Sequence, residues 1–509
     1  GDTRAMVFTP EDVRLNSPNT LSLVEVRSDR DLEIFRKIYT NSVRIGDGAP
    51  GWEVTYAREF DMSNDSKLFP PRDKMESEGY KPDCYGRWIG PGGDYALPFY
   101  QGVSINQFDF SQKGWESGLG RSAAWRSISF DSKTFLPKFL IKQSDLQRNA
   151  KHLTGPKLVH RQVARSTDTR SVIACAIVGF GCGYKLPALR FENNPLPRAL
   201  YVSSLFNSFT FDTVNRIRNA STDIAWNVLA DLPLPSDNSL SQFIVASAAC
   251  LTLLHRRFAP EWLKLKQLYP ELAGREWKQW WAVTEADRLR LRVEIDALCA
   301  DLYGLDPDDF DWIVRDDPTD PKGFYRVDRH LPFRERLTGL AAAAFRALKD
   351  GLWSVESASS LSNAEFFALL GIPELTSAPA AHVLGLPGPL IAKRDGCHSW
   401  HPESFPAADP RHGWTWDDCW NDAVALLGSE EVVRQYIAGE EAQALDEEPE
   451  FFLRSVPGSP QATFVFGGAS QQAPEDESDS IGAAGPGVPP AEDEVEEPFQ
   501  LTATPSKRQ

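Results

Sequence analysis

The sequence is short of the features that mark several protein classes. No run reaches the roughly 18 apolar residues that a membrane-spanning helix needs. The opening "GDTRAMVFTPEDV" has neither a basic region nor an apolar core, so it is not a signal peptide. Because the first residue is Gly1, it reads as a cut or split inside a longer polypeptide. Seven cysteines (Cys84, Cys175, Cys182, Cys250, Cys299, Cys397 and Cys419) are scattered and odd in number, which argues against a disulfide framework and for a reducing cytoplasm. No paired CxxC, Walker A, HExxH or GxSxG motif occurs, and no convincing nuclease pattern of an acid followed by ExK. The group Cys397, His398, His401, His412 and Cys419 has metal-capable side chains at no standard zinc spacing.

What is present is segregated charge. The 509 residues carry a formal net charge of −17, which by itself discourages a nucleic-acid partner. From 440 to 500, however, fifteen acids stand against one base (Arg454), giving −14 in that segment alone. From 133 to 170, nine Lys and Arg stand against two acids, a local +7. A basic middle and an acidic end fit a nucleic-acid partner; an ordinary solvated face is the plainer explanation of the basic stretch.

The periodicities predict an α+β chain. "RSDRDLEIFRKIY" sets Leu32, Phe35 and Ile38 three apart, as in a short amphipathic helix. Residues 50–130 alternate in short runs broken by Gly and Pro, as a β-rich, irregular domain does. "LVHRQVARS" and "SVIACAIVGF" read as further strands, the second buried. A helix is expected at about 201–214, leading to "LADLPLP", where Pro233 and Pro235 end the segment. Beyond it the pattern is helical. "SLSQFIVASAACLTLLHRRF" places His255, Arg256 and Arg257 in its last turn. Thr284 is a helix cap, Gly351 a helix stop, and Ser362 with Glu365 a capping box. The expected organisation is a connector over 1–49, a β-rich domain over 50–235, a helical domain over 236–440 and a disordered acidic tail over 441–509.

Two motifs invite a chemical reading. "VGFGCGY" alternates Gly179, Gly181 and Gly183 after an apolar strand, as a cofactor-binding turn does, but no clear helix follows, and a glycine-rich strand or bulge is the better reading. A carboxylate, amide or hydroxyl followed by two prolines and an aromatic, which holds a flipped adenine, is absent: "LFPPRD" and "ENNPLPR" both fail. The stretch "GPKLVHRQVARSTDTRSVIACAI" brings Arg161, Arg165 and Arg170 together with Ser166, Thr167 and Thr169. Arginine can hold phosphate or read guanine, and hydroxyls add phosphate contacts. Arg161 and Arg165 are expected on one strand face, with Arg170 after a turn. Arg216 and Arg218 extend the set.

The blocks "FTPEDVRLNSPNTLSLVEVRSDRDLEIFRKIYTNS", "MSNDSKLF", "LPFYQGVSINQFDF", "KLVHRQVARSTDTRSVIACAIV", "SLFNSFTFDTVNRIRNASTDIAWNVLADLPLP" and "LRLRVEIDALCADLYGLDPDDFDWIV", over roughly residues 7–315, resemble in order the C-terminal half of large adenine-specific DNA methyltransferases. These are the type IIG restriction–modification enzymes and their relatives in the BREX and DISARM phage-defence systems, with the DISARM relatives the nearest subgroup. The resemblance implies a target-recognition domain, double-stranded DNA as partner, and adenine-N6 methylation with S-adenosylmethionine in the complete enzyme. This chain, lacking the catalytic loop, is expected to bind no cofactor and to need a separate catalytic half. Two other readings stand beside it. One is a non-catalytic scaffold or DNA-binding subunit of a defence complex, in contact with its other subunits; the other is a complete methyltransferase with a degenerate cofactor site at the three glycines.

Overall fold

The computed structural model describes residues 9–16, 24–48, 52–150, 155–165, 168–219, 222–235, 241–358, 360–372 and 414–439. The acidic segment read as disordered lies outside them, as do Cys397, His398, His401 and His412. The expected mixed α+β class is what the chain adopts: β-rich sheets come first and helices follow.

Helix α1 (Pro10–Asn16) leads to α2 (Asp29–Thr40), capped by Ser28, whose Oγ accepts the Asp31 amide at 3.1 Å. As the spacing predicts, Leu32, Phe35 and Ile38 are buried. The polar side of α2 is engaged too. Arg30 Nη2 lies 2.7 Å from an Asp309 carboxylate oxygen, Lys37 pairs with the same carboxylate, and Trp312 Nε1 donates to Asp31 at 2.8 Å. The segment read as a connector is therefore packed against residues nearly three hundred positions later, and one buried cluster runs from Val24 to Val433.

Strands β1 (Ser42–Arg44), β2 (Val54–Ala57), β3 (Lys81–Pro82), β4 (Trp88–Ile89), β5 (Tyr95–Tyr100), β6 (Lys113–Ser117), β7 (Ala124–Ser127), β8 (Phe139–Lys142), β9 (Pro156–His160), β10 (Ala174–Val178), β11 (Gly181–Cys182), β12 (Ala188–Phe191) and β13 (Pro233–Pro235) are short. They form a four-stranded antiparallel sheet in the order β10-β9-β12-β2 and a second sheet in the order β11-β5-β4-β3, with β8 also on β5. β6 and β7 form a separate ribbon, and β1 pairs with β13. Short helices α3 (Arg72–Ser77) and α4 (Gln143–Ala150) join these strands. The two prolines that end "LADLPLP" thus sit in a two-stranded pair, where a missing N–H is tolerated.

Two expectations are corrected here. The strand in "LVHRQVARS" stops at His160, because the backbone then leaves the sheet: Gln162 N bonds Lys185 O, Ile224 N bonds Gln162 O, and Ala164 N bonds Thr222 O. Arg161 and Arg165 accordingly share no strand face. The single helix expected near 201–214 is two, α5 (Pro195–Phe206) and α6 (Phe209–Arg218). Ser208 caps the second with its hydroxyl on the Phe211 amide at 3.2 Å, and Asn207 turns its amide out of the helix.

The later helices follow as α7 (Trp226–Leu229), α8 (Ser241–Thr252), α9 (Ala259–Leu268), α10 (Glu285–Leu302), α11 (Pro307–Val314), α12 (Leu337–Lys349), α13 (Val355–Ala358), α14 (Asn363–Leu369), α15 (Trp416–Leu427) and α16 (Glu430–Ala438). Thr284 caps α10, and Ser362 and Glu365 form the reciprocal box on α14, as their spacing predicts. α12 ends at Asp350, and Gly351 follows with a φ of 73°. The helix through "CLTLLHRRF" is shorter than predicted. It stops at Thr252, and His255 caps a separate 3₁₀ turn, its Nδ1 taking the Arg257 amide at 3.1 Å. Arg256 then reaches across to Asp422 on α15 rather than completing a helix end. The described cysteines are all free thiols, and no described helix is long and apolar enough to cross a membrane.

Candidate nucleic-acid interface

The Arg- and hydroxyl-rich stretch and the "LFNSFTFDTVNRIR" segment meet in space. Asp212, Asn215 and Arg216 lie three and four apart, so they share one face of α6. That face grips the chain at 168–174. The buried Asp212 carboxylate accepts the Ser171 amide at 2.9 Å, the Val172 amide at 3.1 Å and the Ser171 hydroxyl. Arg216 Nη2 donates to the same carboxylate at 3.1 Å and to the Asp168 carbonyl at 2.7 Å. Asn215 Nδ2 reaches Ser171 Oγ at 2.9 Å. Asn207, at the helix break, takes the Ala174 amide at 3.0 Å and returns its own N–H to the Ala174 carbonyl at 2.9 Å. An amide thus stands in for a strand neighbour at the start of β10.

This arrangement decides which of the sequence-selected residues face outward. Arg216 is buried in the grip just described. Arg218 is buried against Asp231 at 2.8 Å. Arg170 is also buried, stacked 3.4 Å over the Phe209 ring and 3.9 Å from Asp296. Burial lowers the Arg170 guanidinium to about 10 and raises the Asp296 carboxyl to about 6, in each case against the pull of its partner. The expectation that Arg170 reaches a base is therefore corrected: its charge is committed inside the protein. Arg161 is half-buried, with Nη2 on the Ile105 carbonyl at 2.7 Å and the Gln112 side chain at 2.8 Å. Arg165 and Thr169 are exposed, and Ser166 and Thr167 lie outside the described residues.

Arg165 stands on a tight turn. Its amide donates to Asp168 Oδ2 at 3.0 Å, and the Asp168 amide donates back to its carbonyl at 3.0 Å. Three residues before the turn, the Gln162 amide donates to the carbonyl of Lys185, whose side chain is exposed. Next to Lys185, Tyr184 carries the Arg58 guanidinium 4.4 Å above its ring. Arg58, Tyr184 and Lys185 are the residues that reading the sequence missed. The only trace of Tyr184 and Lys185 there is the "GYK" that follows the glycine run; Arg58 leaves none.

The basic stretch is less continuous in space than along the chain. Lys133 is buried with its ammonium 2.7 Å from Asp109, Lys157 is buried against Glu59, and Arg170 is internal as described. Of the others, Lys142 lies 3.2 Å from Asp94 and Arg148 lies 3.1 Å from Asp145. The linear +7 is thus partly an accounting of internal ion pairs.

Two of the three glycines, Gly181 and Gly183, are packing residues. A side chain at Gly181 would meet Leu146 at 3.2 Å and Phe60 at 3.3 Å, and one at Gly183 would meet the Met62 sulfur at 3.1 Å. Gly181 sits in β11, and Gly179 takes a φ of 77° at the turn before it. At Gly181 and Gly183 the chain thus packs against its own apolar side chains. Cys419 is buried with its thiol on the Ala259 carbonyl at 3.4 Å. Among the described residues, no three His, Cys, Asp or Glu side chains are placed to hold a metal ion.

His160, at the end of β9 just before the exposed loop, is wholly buried. Its Nδ1 lies 3.2 Å from the Arg161 carbonyl, its Nε2 is unpartnered, and burial lowers its pKa to about 4. Between pH 6.5 and about 4 the unfolded chain takes up a proton that the folded chain refuses, so stability is lost as pH falls through that window. The loss should total about 3 kcal/mol. Asp296, raised by burial, slopes the opposite way, so wild type alone does not isolate the effect. The difference in urea midpoint between wild type and His160→Asn does. It should be flat above pH 6.5 and shift against wild type below it; a pH-independent difference would refute the assignment.

No protein-family model matches the chain, and no curated protein matches it.

Proposed function

We propose that the chain is the DNA-recognition portion of a site-specific adenine-N6 DNA methyltransferase of a bacterial restriction–modification or phage-defence system. Transfer from S-adenosylmethionine belongs to a separate catalytic half. The observation that supports this reading best is the grip of Asp212, Asn207 and Arg216 on residues 168–174. It anchors one end of a loop that exposes Arg165 and Thr169, and Gln162 ties the other end to Lys185, next to the Tyr184–Arg58 stack. Such a rigidly based cationic loop suits phosphate contact, which fixes a protein on the duplex before bases are read. It also joins two of the six blocks that carry the resemblance.

The reading separates two sets of arginines. Arg165→Ala should lower the slope of log affinity against log salt by about one unit on any duplex, because one phosphate contact is lost. Its unfolding midpoint should stay that of wild type. Arg170→Ala should act the other way round, through stability. Fluorescence anisotropy on a mixed-sequence duplex, paired with thermal melts, makes the comparison. An Arg165→Ala variant with the wild-type slope would remove this loop from the interface.

The scaffold reading draws on a different observation, the internal pairing of Lys133, Lys157 and Arg170, which thins the basic surface. On that reading DNA binding is weak and without sequence preference.

A further inference from the structure

The β6–β7 ribbon pairs with neither main sheet. Its base is anchored: the Arg72 guanidinium lies 4.8 Å over the Trp115 ring, and Gly114 packs closely on Leu136. Its far end is exposed on both strands, at Glu116 and Ser117 on one and Ala124 on the other. At the apex stands Leu119, 67% exposed, the most exposed of the large apolar side chains described.

A lone surface leucine needs no explanation. This one is held out by a built turn. Gly118 and Gly120 flank it with φ of 82° and 53°, and a side chain at Gly118 would strike the Ser122 carbonyl oxygen at 2.2 Å. The Leu119 carbonyl accepts both the Ser122 amide at 3.1 Å and the Ser122 hydroxyl at 2.8 Å. From the inner side, Trp115 Nε1 donates to the Gly118 carbonyl at 3.0 Å. The glycines and hydrogen bonds fix the apex so that the leucine cannot fold back onto the ribbon. Between 113 and 127 the sequence has three basic residues and one acid, a net +2 in a chain of net −17; the acid, Glu116, lies 3.7 Å from Arg126 on the facing strand.

We infer that this ribbon enters a groove of the DNA duplex and that Leu119 acts as an apolar wedge at a base step. A two-stranded ribbon fits a DNA groove, a net positive charge along the segment suits a phosphate-lined one, and leucine is among the side chains that prise stacked bases apart. A protein that serves chemistry on a base has use for such a wedge, since the base must leave the stack. The inference rests on the DNA reading above.

The test uses the full chain and a mixed-sequence duplex carrying 2-aminopurine at successive positions. Wild type should raise the fluorescence at a bound step. Leu119→Ser should bind about tenfold more weakly, the scale expected for one buried leucine, without the fluorescence rise and with an unchanged salt slope. Its melting temperature should match wild type, because the side chain is exposed. Leu352→Ser, which removes another exposed leucine, should bind as wild type does. If wild type binds duplex but Leu119→Ser equals it in affinity and fluorescence, or if Leu352→Ser weakens binding equally, the wedge is refuted while the DNA reading survives. If Leu119→Ser loses affinity while wild type gives no fluorescence rise, the leucine touches DNA without unstacking it, and the wedge also fails. If wild type binds no duplex, the DNA reading itself fails.

Discussion

Asp212→Ala should destabilise the protein by about 3–5 kcal/mol, the cost of leaving one member of a buried pair without its partner. The Arg216 guanidinium would stay buried, without the carboxylate 3.1 Å away. The Ser171 amide and hydroxyl and the Val172 amide would lose their acceptor together. Total stability of a folded domain is about 5–15 kcal/mol, so this is a large fraction of what holds the chain. Arg165→Ala, on the exposed side of the same loop, should change stability by no more than about 0.5 kcal/mol. Urea unfolding followed by tryptophan fluorescence reads both. An Asp212→Ala variant as stable as wild type would show that α6 does not hold the loop.

Lys157→Met should produce a loss of the same order, and one that depends on pH. Lys157 and Glu59 are both fully buried. The Glu59 carboxylate also takes the Cys182 amide at 2.7 Å, and the Lys157 ammonium donates to the Phe180 carbonyl at 2.6 Å. Burial already pushes the Glu59 carboxyl above the usual carboxylate range despite the lysine beside it. Without the lysine, the folded state should hold Glu59 protonated. A carboxyl whose folded pKa is raised gives stability that is present below its unfolded pKa and lost as pH rises. The deficit of Lys157→Met should therefore be about 3–5 kcal/mol at neutral pH and shrink towards pH 4. The double variant Glu59→Leu, Lys157→Met should recover most of it, since well-packed apolar residues can replace a buried pair. A deficit that is flat with pH would contradict the assignment of Glu59 as the stranded charge.

Much of the helical structure is legible in the sequence because its signals are local. Thr284, and Ser362 with Glu365, announce helix starts within three residues, and Leu32, Phe35 and Ile38 announce a buried face within one helix. The Asn207–Ser208 break is also local, a polar pair with a capping residue inside an apolar run, and reading the run as one helix passes over it. The direction of the arginines is not local. Arg170 is committed inward by Asp296 and Phe209, and Lys157 by Glu59; in the sequence each is simply one more cation. The exception is Arg216, whose partner Asp212 stands four residues earlier on the same helix. That spacing marks an internal pair as readily as a DNA contact. Lys185 and Arg58 join the loop only because Gln162 crosses to the Tyr184–Lys185 turn, a contact that no periodicity reveals.

The central claim, that this chain grips duplex DNA through the face bearing Arg165, Lys185 and Arg58, is tested most directly by measuring its affinity for a mixed-sequence duplex across a salt series. The account predicts binding at low salt, with log affinity falling linearly against log salt. Removing all three cations together should make that slope about three units shallower, and removing the exposed Arg165 and Lys185 alone should leave the melting temperature unchanged. A slope that is the same in the triple variant, or no duplex binding at low salt, would contradict it.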